Sequence, residues 1–484
     1  DVLIAVFLGA SPLADAFFVA FRIPNTFRRL FSEGTFNAAF VPSYASELSN
    51  GRETSEKFAT NVFSLLILIL FFLVLIIEIF MPYFVFLIAP GFSGNDEKMA
   101  LAINLTRITF PFLFFISLSS FFSAILNAHN RFAVAAAAPI ILNFFLITVL
   151  FYGGLLGDKL VYYLSYAVTL AGIAQFIYLF FYVKKFYSPK FTIDFSIDQK
   201  IKRFFSKLLP SIFSSGVTQI NILVGTIIAS FQAGAVSYLY YADRIYQINL
   251  AIAGIAVGTV SLPVLSKAFK QKNFLKVTKI QTKSILLSLL FSIPASLGLI
   301  IASEEIVNGL FGYGSFTPED VKMTSDALMF FGYGVIAFAL IKILANFFFA
   351  RDNTTIPFYI SSLIVFLNVA ISLSFFNRIG FLIIPIATSF STWIGVLIFL
   401  YFLRKNNFLL LDKKLFFDVL KIVISTTIMA VTLVFFIEKY SSNLAYTSIY
   451  KSIYLLIIVG FAGIVYLLSC YLLGLLKIKN YKTN

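Results

Sequence analysis

The stretch DAFFVAFRIPNTFRRLFSEGTFNAAFVP, from Asp15 to Pro42, begins like a membrane helix but carries three arginines. Arg22, Arg28 and Arg29 lie among Phe, Ala, Val and Leu, where a charge at mid-bilayer costs about 3 kcal/mol on insertion scales. Intramembrane charges usually face a bundle interior or a water-filled cavity. The stretch therefore predicts a helix with a polar face that lines a path.

The composition of the whole chain is that of a membrane protein. Of its 484 residues, 60% are hydrophobic and 12% are charged, and the mean hydropathy is +0.93. Apolar windows long enough to cross a ~30 Å hydrocarbon core recur along its length. They predict thirteen complete spans and a partial first one, at 1–10, 13–31, 58–80, 101–126, 136–156, 160–183, 207–231, 236–262, 284–301, 327–349, 357–376, 381–403, 416–437 and 449–474. We expect an all-α polytopic fold of about 14 transmembrane helices, with further residues before Asp1.

Positive charge concentrates in alternate loops. The loops 32–57, 127–135, 184–207, 263–283, 350–356 and 404–414, with the tail after 474, hold 24 Lys and Arg, whereas the other loops hold 6. The positive-inside rule assigns the first set, and with it the C-terminus, to the cytoplasm. The formal net charge of +15 then reflects topology and contact with anionic lipid heads, and it requires no nucleic-acid partner.

Cysteine and histidine are almost absent. Cys470 alone cannot form an internal disulfide, and His129 alone cannot build a metal cluster or a conventional triad. The sequence therefore disfavours a membrane enzyme, and we expect neither a metal nor a cofactor. The energy source stays open between a proton, a sodium ion and the membrane potential, because no clustered carboxylates form a cation site.

The segment 184–206 interleaves Lys with Phe and Ile at helical spacing, which predicts a cytoplasmic amphipathic linker on the membrane surface. It divides the chain into an N-terminal lobe at 1–183, with an incomplete first helix, and a C-terminal lobe at 207–403. The part 404–484 holds two additional helices and a basic tail. Similar loops after the fourth and tenth spans, NAHNRF and ARDNTT, hint that the lobes are parallel repeats, as in many transporters.

One stripe of the second span is polar. Asn25, Arg28, Ser32 and Thr35 follow an i, i+3, i+7, i+10 pattern and share one helix face. Pro24 removes a backbone hydrogen bond and predicts a kink with free carbonyls beside a cavity.

The other charges of this span have a structural alternative. Arg22 and Arg29 stack seven residues apart near Asp15, and Arg29 and Glu33 form an i, i+4 pair. These arginines would then snorkel to the headgroups or pair with Asp15 and Glu33. Arg28 has no such helical partner, so it is the stronger candidate for lining a path.

The eighth span, which contains SYLYYADRIYQINL, also carries polar and charged residues among apolar ones. Ser237, Asp243 and Arg244 lie near its outer end, followed by Gly254 and Gly258 in a spacing typical of close helix packing. Arginines from both halves that face one cavity would bind an anion, most plausibly phosphate, by bidentate hydrogen bonds.

The quoted stretch closely resembles the signature of the MurJ (MviN) family of lipid II flippases, within the multidrug/oligosaccharidyl-lipid/polysaccharide exporter superfamily. The resemblance continues through APGF (89–92), SYLYYADRIYQ (237–247) and LFGYGSFT (310–317). It implies a transporter with two six-helix lobes and two extra C-terminal helices. Such a protein carries undecaprenyl-pyrophosphate-linked peptidoglycan precursor from the inner to the outer leaflet by alternating access.

The resemblance also implies the roles of individual residues. Arg28 and Arg244 would engage the pyrophosphate, and the helices at 416–437 and 449–474 would form a groove for the lipid tail. The remaining residues implied around the cavity are Asp1, Asp15, Arg22, Asn25, Arg29, Glu33, Ser237 and Asp243.

The expected partners are a lipid-linked anionic glycan and membrane lipids, bound by a monomer in the bacterial inner membrane. The alternative is an exporter of another lipid-linked oligosaccharide, or of drugs, within the same superfamily. A cavity for cationic drugs should present carboxylates, whereas the key spans here carry net positive charge. A purely structural scaffold is disfavoured because uncompensated intramembrane arginines are costly.

Overall fold

The structure, a computed structural model, describes residues 1–30, 36–192, 199–409 and 413–476. These ranges contain no β-strand, and the all-α prediction is confirmed. The helices are α1 (Val2–Leu8), α2 (Pro12–Leu30), α3 (Phe36–Ser49), α4 (Arg52–Ile79), α5 (Met81–Ile88), α6 (Asp96–Thr109), α7 (Phe112–Ala128), α8 (Phe132–Phe151), α9 (Gly153–Leu156), α10 (Leu160–Val183), α11 (Gln199–Ala229), α12 (Ala235–Leu250), α13 (Val257–Lys270), α14 (Phe274–Ile301), α15 (Ser303–Phe311), α16 (Pro318–Phe349), α17 (Thr355–Ile379), α18 (Ile383–Lys405), α19 (Lys413–Lys439), α20 (Ser441–Leu444) and α21 (Lys451–Leu472). A π-helical turn, Ala251–Ala256, joins α12 to α13.

The chain is a multi-pass membrane protein. Ten helical stretches among the described residues are long and apolar enough to cross a membrane, and one of them, Thr355–Lys405, contains both α17 and α18. The second predicted span, α2, is not among the ten, because Asp15 and its three arginines lower its hydropathy. The charged residues that mark the candidate site therefore also lower the mean hydropathy of α2 below the level expected of a membrane span.

The helices form two compact units. The N-terminal unit is Ala10–Val236, and the C-terminal unit is Asp1–Gly9 together with Ser237–Asn484. These bounds differ from the lobes expected from the sequence, which place α1 in the first lobe and 207–231 in the second. In the C-terminal unit, the Ser315 amide donates to the Val6 carbonyl at 2.8 Å. In the same unit the Tyr241 hydroxyl donates to the Gly9 carbonyl at 3.0 Å, so α1 is held at its C-terminal end.

Aromatic side chains fill the core of the N-terminal unit. Phe40 stacks on Tyr44 and Phe58 with centroid separations of 5.6 and 5.9 Å. Phe204 of α11 meets Phe40 edge to face at 6.0 Å and is 1% exposed. Helix α11 therefore packs in this unit because its apolar face completes the aromatic core.

Two residues of the linker contact α4 in the N-terminal unit. Residues 187–192 have no regular secondary structure, and Tyr187 is fully buried with its hydroxyl 3.2 Å from Thr60 Oγ1 of α4. The Thr192 amide donates to Ser64 Oγ at 3.0 Å. Tyr187 and Thr192 thus fix the linker to the N-terminal unit, and 193–198 lie outside the described residues. A location on the membrane surface stays a prediction.

Contacts within each unit agree with the predicted alternation of loops. In the N-terminal unit, His129 Nε2 lies 3.3 Å from the Tyr44 hydroxyl, and the His129 ring stacks on Phe186 at 4.5 Å. In the C-terminal unit, Arg351 Nη2 and Gln281 Nε2 both donate to the Phe408 carbonyl, at 3.2 and 2.8 Å. In each unit the three loops that belong to the positively charged set therefore meet at one end.

The loops NAHNRF and ARDNTT share one backbone turn. Asn130 and Asp352 both have left-handed φ values, 60° and 57°. The next residue of each loop donates its amide to a carbonyl five positions earlier, Arg131 to Leu126 at 2.8 Å and Asn353 to Phe348 at 3.1 Å. The same ending follows α13 and α18, at Lys272 and Asn407, so it is a general way of ending a helix and the repeat stays a prediction.

Candidate substrate site

Arg244 forms a polar cluster with Tyr240 and Asp1 in the C-terminal unit. Tyr240 and Arg244 are four residues apart on α12 and therefore share a face. Arg244 Nη2 donates to the Tyr240 hydroxyl at 2.7 Å, and the guanidinium carbon lies 4.7 Å from the ring centroid. The Tyr240 hydroxyl donates to Asp1 Oδ1 at 3.1 Å, and Arg244 Nε lies 3.3 Å from Asp1 Oδ2.

The Arg244 guanidinium of this cluster makes fewer hydrogen bonds than it has donors. The Arg244 side chain is 27% exposed, and its Nε makes an ion pair with Asp1 without hydrogen-bond geometry. A guanidinium has five donors, so a doubly charged oxyanion can take the remaining donors and compete with the single Asp1 carboxylate. Tyr240 holds the Arg244 side chain in place, which reduces the entropy lost on binding.

The residues that flank Arg244 have different surroundings. The Asp243 carboxylate accepts a hydrogen bond from Gln247 on the next turn of α12. Ser237, in the first turn of α12, is fully buried. The predicted role of Ser237 in the cavity stays a prediction.

Asp15 is a buried anchor of the N-terminal unit. It is fully buried, and its Oδ2 lies 2.6 Å from Lys98 Nζ and accepts the Gly234 amide at 3.0 Å. Lys98, at the start of α6, is 10% exposed and also lies 4.1 Å from the Phe92 ring centroid. The sequence places Asp15 on a stripe with Arg22 and Arg29, but the structure pairs it with a lysine 83 residues away.

Pro24 leaves a carbonyl free, as expected, but that carbonyl does not border a cavity. The missing Pro24 amide would have donated to the Ala20 carbonyl four residues earlier. Thr109 Oγ1 of α6 donates to this carbonyl at 2.9 Å instead, and both residues are fully buried. The proline thus fixes α2 against α6 in the interior of the N-terminal unit.

The other predicted site residues of the second span are only partly described. Arg22 and Asn25 are half-buried, and the Arg22 carbonyl accepts a hydrogen bond from Thr26 Oγ1 at 2.8 Å. The side chains of Arg28 and Arg29, and the whole of Glu33, lie outside the described residues. Their predicted roles stay predictions.

An apolar groove of about 830 Å³ lies in the C-terminal unit. Leu299 of α14, Met429 of α19 and Leu455 of α21 line it. Val2 and Ile245 line it too, and they are the chain neighbours of Asp1 and Arg244. The groove therefore begins beside the polar cluster.

Two residues that matter here are missed by the sequence reasoning. Tyr240 carried a usable signal, because it lies one helical turn before Arg244. Lys98 carried none beyond being a lone lysine in a loop of the opposite set. Across residues 1–30, 36–192, 199–409 and 413–476, no group of three or more His, Cys, Asp or Glu side chains is placed to hold a metal ion.

The membrane-length helices, the partly exposed Arg244 guanidinium and the adjoining apolar groove define a polytopic membrane transporter for an amphipathic substrate. The family model described as lipid II flippase MurJ matches residues 4–455. The chain belongs to this family, and the resemblance drawn from its motifs is confirmed.

Individual relatives agree with this membership. The chain is 34% identical over 488 residues to a probable lipid II flippase MurJ of Rickettsia prowazekii, covering 99% of this chain and 94% of the relative. It is 38% identical over 444 residues to the corresponding protein of Rhizobium meliloti, covering 90% and 82%.

Solved structures share the fold. A lipid II flippase MurJ in an inward closed conformation superposes with a TM-score of 0.83 at 27% identity, covering 98% of this chain and 95% of that one. An inward-facing multidrug transporter of the MATE family has a TM-score of 0.70 at 14% identity, covering 84% and 93%, which shows the superfamily fold alone.

Proposed function

We propose that the protein is a lipid II flippase, a transporter and not an enzyme. It moves undecaprenyl-pyrophosphate-linked peptidoglycan precursor from the inner to the outer leaflet of the bacterial cytoplasmic membrane by alternating access. The observation that carries the proposal, in a chain of this family, is the Arg244 cluster next to the apolar groove that Val2 and Ile245 line.

The two parts of the site match the two parts of such a lipid. Arg244 offers charge-assisted hydrogen bonds to the pyrophosphate, with Tyr240 holding the guanidinium. Val2 and Ile245 lead from this cluster into the groove, which takes up the isoprenoid chain. Neither part alone would select a lipid-linked phosphate, because the cluster binds any anion and the groove binds any acyl chain.

Residues of the second predicted span complete the proposal. Arg28 is the second pyrophosphate contact. The electrostatic potential around it is set by polar and charged neighbours, namely Arg22, Asn25, Arg29 and Glu33. Asp15 acts indirectly, because its buried pair with Lys98 fixes the start of α2.

The remaining parts of the proposal concern topology and partners. The loops rich in Lys and Arg, and the C-terminus, face the cytoplasm, where their charge attracts anionic lipids. The protein functions as a monomer, with lipid II and membrane lipids as its partners.

A second substrate is compatible with the same contacts. Another polyprenyl-diphosphate-linked oligosaccharide has the same pyrophosphate and the same kind of tail, which are the only parts that the cluster and the groove recognise. Competition between lipid II and such a lipid for binding to the purified protein separates the two substrates.

Complementation tests the proposal. The protein is expressed in a bacterium whose own lipid II flippase is depleted, and lipid II in the outer leaflet is measured by its accessibility to an external enzyme. We expect wild type and Arg378→Met to restore translocation, since Arg378 is exposed at the end of α17. Arg244→Met should fail at an equal level in the membrane. Full restoration by Arg244→Met would remove Arg244 from the site, and failure of the wild type would contradict the proposed function.

A further inference from the structure

Lys342 is a positively charged residue in α16, a helix long enough to cross a membrane. It lies in α16, seven residues before the helix ends at Phe349, and its side chain is exposed. No hydrogen bond or ion pair joins it to any part of the chain that the structure describes. The other lysine of this helix, Lys322, pairs with Asp326 at 3.0 Å. A lysine without a counter-ion inside a membrane span is energetically costly unless it faces a water-filled path.

Its neighbours on the helix show which way Lys342 faces. Four residues earlier, the Phe338 ring lies 5.4 Å from the Tyr246 ring of α12. Four residues later, Asn346 Nδ2 donates to the Gly258 carbonyl of α13 at 2.9 Å. Residues four apart share a helix face, so Lys342 lies on the side of α16 that borders α12 and α13.

The opposite helix is built to come close to this face. A Cβ on Gly254, in the π-helical turn, would lie 3.2 Å from the Ala339 Cα. A Cβ on Gly258 would lie 3.1 Å from Asn346 Nδ2. The two glycines therefore allow tight packing, as their spacing predicts, and π-helical turns often occur at functional sites. Lys342 is the one residue with a long charged side chain on the α16 stretch 338–346.

Lys342 and Arg244 lie at different levels along the contact between α16 and the helices α12 and α13. Arg244 precedes Gly254 by ten positions, and Lys342 follows Ala339, the residue opposite Gly254, by three. At 1.5 Å per helical residue the Gly254–Ala339 contact puts the two cations about 20 Å apart along the helices, and the Tyr246–Phe338 contact puts them about 9 Å apart. A diphosphate that moves along these helices would therefore meet the two cations one after the other.

We propose that Lys342 is a second anion-binding position on the transport path, which holds the diphosphate of a polyprenyl-linked lipid at a different depth from Arg244. This inference rests on the proposed function. A lysine suits a position that a phosphate passes, because its ammonium binds as a point charge without a fixed bidentate geometry. The competing role is an anchor that snorkels to the headgroups of ordinary phospholipids.

Binding measurements distinguish the two roles. The purified protein is placed in nanodiscs of phosphatidylcholine, and native mass spectrometry measures the apparent Kd for undecaprenyl diphosphate and, separately, for phosphatidylglycerol. We expect Lys342→Met to weaken undecaprenyl diphosphate binding roughly tenfold, as for a lost hydrogen bond to a charged group. Lys342→Arg should keep binding within about threefold, since it keeps the charge. Lys322→Met on the same helix should change nothing.

Each other outcome overturns the inference. If Lys342→Met binds like the wild type while Arg244→Met does not, Lys342 is no binding position and the proposed function stands. If Lys342→Met weakens phosphatidylglycerol binding equally, Lys342 is a headgroup anchor. If Lys342→Arg, folded by its thermal melt, binds as weakly as Lys342→Met, the loss is structural. If the wild type does not bind undecaprenyl diphosphate, the proposed function itself fails.

Discussion

Replacing Asp15 by Asn should destabilise the protein strongly. The Asp15 carboxylate is fully buried, its partner Lys98 is 10% exposed, and their atoms lie 2.6 Å apart. An asparagine keeps the shape and can still accept the Gly234 amide, but it leaves the Lys98 charge buried without a counter-ion. Removing one partner of a buried ion pair costs about 3–5 kcal/mol.

The contact of Lys98 with Phe92 reduces this cost. The ammonium lies 4.1 Å from the ring centroid, and a cation–π contact of this kind contributes about 0.5–2 kcal/mol. Because this contact survives the substitution, we expect Asp15→Asn to lower the free energy of unfolding by about 2–4 kcal/mol.

An exposed pair in the same unit provides the control. Arg52 and Glu56 form an ion pair at 3.0 Å with side chains 71% and 36% exposed, so Glu56→Gln should cost less than about 1 kcal/mol. Reversible unfolding by SDS in mixed micelles measures both variants. Adding Lys98→Met to Asp15→Asn should recover part of the loss. A change below about 0.5 kcal/mol for Asp15→Asn would refute the reasoning that the pair is buried and coupled.

Two further predictions concern pH and packing. Burial and the nearby Arg52 lower the pKa of His129 below its ordinary value, so the unfolded chain binds a proton more readily. Stability should fall as the pH drops below about 6.5, by at most about 1.4 kcal/mol per pH unit. Because the chain has one histidine, the slope that His129→Gln removes from a melt series at pH 5.5–7.5 belongs to this residue, and an unchanged slope would contradict the account. Gly91→Ala would place a Cβ 2.3 Å from the Ser230 carbonyl carbon, and such overpacking costs about 1–3 kcal/mol. Gly94→Ala, with nothing within 4 Å, should stay within about 0.5 kcal/mol in the same melt, and equal effects of the two variants would contradict the packing described.

Local sequence patterns predicted much of the fold. Hydropathy located most of the helices, because a span must present apolar side chains to the lipid while its backbone is hydrogen-bonded within the helix. The spacing of Gly254 and Gly258 predicted close packing, and they do meet Ala339 and Asn346. Charge in alternate loops predicted which loops share one end of each unit.

Contacts between distant residues could not be predicted in this way. Asp15 and Lys98 are 83 residues apart, and Thr109 and Ala20 are 89 apart, so no helical period relates them. Amphipathic spacing in the linker has a different weakness. It shows that an apolar face exists but not whether lipid or protein covers it, and Phe204 proved to pack in an aromatic core.

Translocation by the purified protein tests most directly whether the Arg244 cluster engages the pyrophosphate. Proteoliposomes with fluorescent lipid II in both leaflets are exposed to an external reductant that quenches the accessible label. The account predicts faster exchange with the wild type than in protein-free vesicles, and at least tenfold slower exchange with Arg244→Met, roughly the loss of one charge-assisted contact. Equal rates for Arg244→Met and the wild type would contradict the account.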